Sequence, residues 1–216
     1  MEYNTKGKVL KKAVVWQELF FYRKSDVLYQ LTQVFCRRFL PLHGDRTVDQ
    51  MVQAARSYKQ NIVEGCEDGK TSSEMEIKLV NVARGSLQEL RQDYLDYLKI
   101  HSLCVWDSKH PRFDSLLEYC RRHNDWPDYQ KLSESLPEED FCNMALTLCH
   151  ITDKMISSYL VGLEQRFVTE GGIKERMHAA RTGYREEVDR RLRLLEEENT
   201  RLNAENQELK RRLGII

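Results

Sequence analysis

Glycine and proline are scarce in this 216-residue chain, 10 and 4 in all, and they cluster between long stretches that carry neither. A fold of many short strands needs a turn-former roughly every eight to twelve residues, so this spacing argues against one and for long helices. Net charge is also missing, since 34 Lys and Arg balance 34 Asp and Glu. That balance excludes a whole-molecule electrostatic drive toward nucleic acid and makes any basic patch a local one. No stretch of 18 apolar residues occurs, so no membrane-spanning helix and no membrane partner are expected. A secretory leader is not expected either, because Gln17 and Glu18 break the apolar run that follows the first lysines. The expected compartment is a reducing cytoplasm, with Cys36, Cys66, Cys104, Cys120, Cys142 and Cys149 as free thiols. Most of these sit beside apolar residues, where cysteine behaves as a small buried hydrophobe.

Catalytic patterning is lacking as well. Gly69-Lys70-Thr71 imitates the end of a phosphate-binding loop, but the position that should hold its first glycine is Glu64, and the segment joins two helical patterns instead of a strand and a helix. Carboxylates crowd the same turn (Glu64, Glu67, Asp68, Glu74, Glu76) without a histidine or nucleophile patterned beside them. His101-x-x-Cys104 and Cys120-x-x-His123 flank fifteen residues, a spacing that resembles a zinc site. Two mixed pairs of this kind are a weaker signal than two CxxC pairs, and ordinary structural roles are the expectation. We therefore expect no enzyme activity, no cofactor, no bound metal and no small-molecule substrate.

What the chain does have is amphipathic periodicity. It is 41% hydrophobic and 31% charged, enough to bury a core. Val27, Leu28, Leu31, Val34, Phe35 and Phe39 fall at three- and four-residue spacing, predicting a helix from Ser25 or Asp26 to Pro41. A second is predicted from Thr47 to about Glu64, closed by Gly65 as a C-terminal glycine. The third opens on overlapping capping boxes, Thr71-x-x-Glu74 and Ser73-x-x-Glu76, and runs to about His101. Its stripe (Met75, Leu79, Val82, Ala83, Leu90, Leu98) widens where Leu87, Tyr94, Leu95 and Tyr97 join it, which calls for two partner surfaces: a central position or an oligomer contact. Residues 102–136 read as a long connection holding Trp106 and Trp126, with one short helix from His110 to Arg122, packed as a lid over one bundle end. A fourth long helix follows Pro137 and stops at Gly171-Gly172. The fold class expected is all-α: an antiparallel up-down four-helix bundle over residues 25–170, preceded by a basic arm over 1–24 and followed by a linker over 171–183.

From Tyr184 to Leu213 the pattern becomes that of a leucine zipper. Val188, Leu195, Leu202 and Leu209 recur every seven residues as position d, and Leu192, Asn199, Asn206 and Leu213 occupy position a. Asparagine at a faces asparagine best, which fixes register and favours a parallel pair at a cost in stability. In such a pair Arg191 meets Glu196, Glu198 meets Asn203 and Glu205 meets Lys210, with no repulsive contact. The expected partner is the chain itself. Nucleic acid is the alternative partner, approached through Lys6, Lys8, Lys11 and Lys12 of the arm and the pairs Arg37-Arg38 and Arg121-Arg122. A reader of the basic-zipper type would need a continuous basic helix ahead of the zipper, and Gly183 is expected to interrupt it.

Three segments together resemble a known family. They are Thr47-Val-Asp-Gln-Met-Val-Gln-Ala-Ala-Arg56-Ser57, then Gln60-Asn61-Ile-Val-Glu64-Gly65, then Ser73-x-Met75-Glu76-x-Lys78-Leu79-x-x-Val82-Ala83-x-x-Ser86-Leu87-x-Glu89-Leu90. The family is that of bacterial four-helix-bundle proteins encoded by intervening sequences in ribosomal RNA genes, with the accessory variability protein of diversity-generating retroelements as a relative. Phe167-x-x-Glu170-Gly171-Gly172-Ile173-x-Glu175-Arg176-Met177 is similar to the suffix segment after the bundle in one branch. The resemblance spans residues 20–181 and implies an up-down bundle, a homo-pentameric ring and no catalysis. The retroelement relative binds nucleic acid and a reverse transcriptase through a basic surface. Here residues 1–170 hold 23 basic and 25 acidic side chains, which departs from that surface, and the zipper lies outside the family pattern. A five-fold ring and a two-stranded zipper cannot both satisfy every chain of one closed ring, so the tails would have to pair between rings or one of the two symmetries is absent.

Overall fold

The computed structural model describes residues 9–12, 14–41 and 46–214. Among them the chain is all-α, without a strand. A 3-10 turn at Trp16–Glu18 precedes α1 (Phe20–Phe39), α2 (Arg46–Asp68), α3 (Ser73–Ile100), α4 (Phe113–Arg122), α5 (Trp126–Ser135), α6 (Glu138–Glu170) and α7 (Ile173–Arg212). No helix among the described residues is long and apolar enough to cross a membrane. The chain divides into two units, one from Lys11 to Glu170 and the other formed by the chain from Gly171 onward with Val9 and Leu10.

In the first unit α1 packs on α2 and α6, and α3 packs on the same two helices, so these four enclose one core. Phe35 of α1 stands at its centre. Its ring meets Tyr94 and Tyr97 of α3 edge-on at 5.0 and 4.9 Å and tilts against Phe141 of α6 at 5.7 Å. Apart from Ser73, the polar side chains buried in this unit are hydrogen-bonded, as low-dielectric burial demands. The Thr32 hydroxyl bonds the Leu28 carbonyl and lies 3.0 Å from the Tyr94 hydroxyl. Nine consecutive residues of α6, Phe141 to Cys149, are buried, because α1, α3 and α4 cover that helix from several sides.

Several element boundaries differ from the sequence reading. The first helix starts at Phe20, not at Ser25 or Asp26, and Ser25 is a buried interior residue whose hydroxyl bonds the Tyr22 carbonyl. Arg23 and Lys24 consequently belong to α1 and not to a solvated arm. Gly65 does not close α2, which continues to Asp68. It is buried against α3, where an added Cβ would lie 3.1 Å from Val80 Cγ2 and 3.3 Å from Leu79 Cβ. Its smallness serves helix contact. Gly69, one turn on, leaves space for the buried carboxylate of Glu76, which would stand 2.5 Å from a Cβ there.

Ser72, and not Thr71 or Ser73, caps α3, its hydroxyl accepting from the Met75 amide at 3.1 Å. The Ser73 hydroxyl is buried without a hydrogen-bond partner, while Glu76 turns inward to accept the Tyr159 hydroxyl at 2.9 Å. Along α3 the fully buried positions are Val80, Ala83, Leu87, Leu90, Tyr94 and Leu98, whereas Met75 and Val82 are 41% and 44% exposed. The breadth of the stripe is largely used within the chain, since α2 and α6 flank α3. The 102–136 connection holds two helices where one was expected. α4 lies along α6 and α5 along α1. Trp126 opens α5 with Pro127 in its first turn, a favourable place for proline.

Candidate functional site

α7 is a single helix of 40 residues with no buried residue. The Gly171 backbone has φ +71, a left-handed conformation that suits glycine. The Gly172 amide then donates to Glu175 at 2.9 Å, and the Arg176 guanidinium bonds the Gly171 and Val9 carbonyls. The expected linker over 171–183 is thus largely helical. Gly183 interrupts nothing: it lies inside α7 with open space around it. What continues into the zipper is not uniformly basic, because Glu186, Glu187 and Asp189 alternate with Arg185, Arg190 and Arg191.

The helix sets the heptad positions on one face. Val188, Leu192, Leu195, Leu202, Leu209 and Leu213 lie along it with exposures from 44% to 71%, and Asn199 and Asn206 are exposed between them. Six apolar side chains in a row with nothing over them form a seam of the kind a second helix covers. Arg191, Glu196, Glu205 and Lys210, which flank that seam, are exposed too. The Arg190–Glu187 and Arg212–Glu208 pairs run along the helix surface, where each adds little.

Three of the basic residues singled out above have internal tasks. Arg37 pairs with Glu134 at 2.9 Å, and Arg38 reaches the Ser133 and Leu136 carbonyls across the end of α5 while stacking 4.5 Å over the Phe39 ring. Arg122 pairs with Glu118 at 2.6 Å one turn back. Lys12 and Arg121 are exposed, and the Lys11 amide donates to the Lys70 carbonyl at 3.2 Å. Lys6 and Lys8 lie outside the described residues.

Each histidine of the Cys/His pairs is engaged by a tyrosine one turn away. The His101 ring stacks on Tyr97 and bonds its carbonyl, and His123 does the same with Tyr119. Cys120 is fully buried beside Lys24, and burial pushes its thiol up to about 12. Cys104 is exposed. Among the described residues no group of three or more His, Cys, Asp or Glu is placed to hold a metal ion. The one Glu-x-x-His in the chain, Glu175 and His178, lies on α7 with its carboxylate committed to Gly172.

Periodicity alone could not reveal one further feature, since its parts come from four segments. A cavity of about 290 Å³ opens between α3, the 105–108 segment, α4 and α6, with Trp106, Phe113 and Leu146 in its apolar wall and Arg91 and His150 at its polar side. An asparagine in the second turn of α6, among apolar neighbours, was its only trace in the sequence: Asn143 accepts from the Trp106 amide at 2.8 Å and donates to the Cys104 carbonyl at 2.8 Å, fixing the segment that forms the wall. Compared with known proteins, the chain is matched by no family model, no curated protein and no solved structure.

Proposed function

We propose that this chain is a non-enzymatic helical scaffold that assembles with itself through α7 and presents its helical core to partners. The single observation that carries the reading is the uncovered seam of α7, apolar at six heptad positions and broken only by Asn199 and Asn206. The closed cycle of contacts among α1, α2, α3 and α6 supports reading the first unit as an antiparallel up-down four-helix bundle. The resemblance of residues 20–181 to the intervening-sequence family fits that architecture and is the ground for reading a bacterial origin, while the six free cysteines are the ground for reading a cytoplasmic one. Met75 and Val82 are what the broad α3 stripe leaves uncovered, and they offer the bundle a second, weaker contact. Sedimentation of the full chain over a range of micromolar concentrations tests the proposal. A reversible shift to a dimer or larger species is expected, and a monodisperse monomer at tens of micromolar would sink it.

Nucleic-acid binding is the competing reading, favoured by the exposed Arg121 and Lys12. Arg37, Arg38 and Arg122 already have partners within the chain, which weakens it. A labelled structured RNA and a DNA duplex, offered at low and then moderate salt, separate the two readings. Binding that collapses with salt would favour the second.

A further inference from the structure

We propose that the cavity between α3, α4, α6 and the Trp106 segment binds a small aromatic carboxylate, its ring against Trp106 and Phe113 and its acid group on Arg91 and His150. The wall is built before any ligand arrives. Trp106 is held by four groups: its amide by Asn143, its indole N–H by Glu139 at 3.0 Å, and its ring by contacts with His110 at 4.2 Å and the Arg112 guanidinium at 4.3 Å. Asn143 is 3% exposed and spends its amide group on the Cys104 and Glu139 carbonyls, so the segment cannot relax without leaving a buried polar group unpaired. At about 290 Å³ the cavity sits at the low end of the roughly 300–1,000 Å³ usual for small-molecule sites, which suits one or two fused rings.

Charge selects the acid. Arg91 on α3, Arg121 on α4 and Lys154 on α6 all bear on His150, and none of the three forms a salt bridge among the described residues. Asp153, the acid that acts on the His150 ring, is engaged by Arg84 at 2.8 Å. Asp107 also lines the cavity, and its carboxylate accepts the Lys109 amide at 2.8 Å. The excess of cations already acts on the ring: burial first, then Lys154, Arg91 and Arg121, hold the His150 imidazole below its ordinary value, with Asp153 opposing. A bound carboxylate answers that unbalanced field, and a planar carboxylate matches the guanidinium fork of Arg91.

The test is calorimetric titration of the full chain with 1-naphthoate, its neutral isostere 1-naphthamide and inorganic phosphate, with the Trp106 indole N–H followed by NMR. Saturable naphthoate binding that shifts the Trp106 resonance is expected, weaker by about tenfold or more for the amide and for Arg91→Gln, an exposed position whose change leaves the core intact. Equal binding of acid and amide would reduce the site to an apolar hole, and phosphate binding as tight as naphthoate would reduce it to a cationic patch. Either result overturns the proposal, as does an Arg91→Gln variant that binds unchanged or an absence of naphthoate binding at millimolar concentration.

Discussion

The Lys24 ammonium donates to the His123 main-chain carbonyl at 2.6 Å, in a site where the lysine side chain has no solvent exposure. The Cys120 carbonyl accepts a second bond from the same nitrogen. One lysine of α1 thereby caps the end of α4, bonding the Cys120 carbonyl and sharing the His123 carbonyl with the Tyr129 hydroxyl.

Burial holds the Lys24 amine at about 8, and the sign of the consequence is definite. Between that value and the ordinary 10.5 the unfolded chain carries more protons than the folded one, so stability from this group rises with pH across the window and is lost as pH falls through 8. Comparing Lys24→Met with the native chain by denaturant unfolding at several pH values isolates it. The stability difference should move in favour of the native chain by about 3 kcal/mol from pH 8 to 10.5. A flat difference would mean that the amine is solvated.

Thiol labelling should proceed in two distinct phases. Cys104 is exposed, whereas burial pushes the Cys66 thiol up to about 11 and the Cys120 and Cys149 thiols up to about 12. Cys142 is raised in the same direction, and Cys36 is also buried. With a thiol-specific chromogenic reagent at pH 8, one equivalent should react quickly and five only after denaturant is added.

Replacing Leu195 and Leu202 together by glutamate should abolish concentration-dependent assembly of the full chain. The unfolding transition of the Lys11–Glu170 unit should stay in place, since neither residue is buried. Sedimentation and circular dichroism on the same samples check both halves. Asn199→Leu should act in the opposite sense, strengthening association while relaxing its stoichiometry.

Glycine positions should sort by their surroundings. Gly65→Ala places a methyl 3.1 Å from Val80 and should cost about 1–3 kcal/mol. Gly85→Ala and Gly183→Ala meet nothing within 4 Å and should stabilise their helices by up to about 1 kcal/mol. Thermal melts of the three variants decide it.

The all-α class and the long helices were legible because apolar side chains recur with helical period, and the Gly171-Gly172 pair announced the end of α6, where the structure gives Gly171 a positive φ. Where the reading slipped, one residue type had two physical uses. Gly65 has the composition of a helix stop but serves close packing, and Ser25 has that of a cap but lies within a turn of α1. α5 was missed because its ten residues carry only two buried positions, Tyr129 and Ser133, too few to set a period. The heptad positions of α7 could be listed in advance, since a heptad is a local pattern. The Trp106 cavity could not, because Arg91, Phe113 and His150 meet only through the packing of α3, α4 and α6.

The fit of Gly69 against Glu76 also constrains how this chain can change over generations. The absent side chain at one position and the buried carboxylate at the other fill a single space. A larger residue at 69 has to displace the Glu76 carboxylate, and the displacement reaches the Tyr159 hydroxyl that Glu76 accepts. A change at position 69 is therefore felt on α6 through Glu76, so the two positions are coupled.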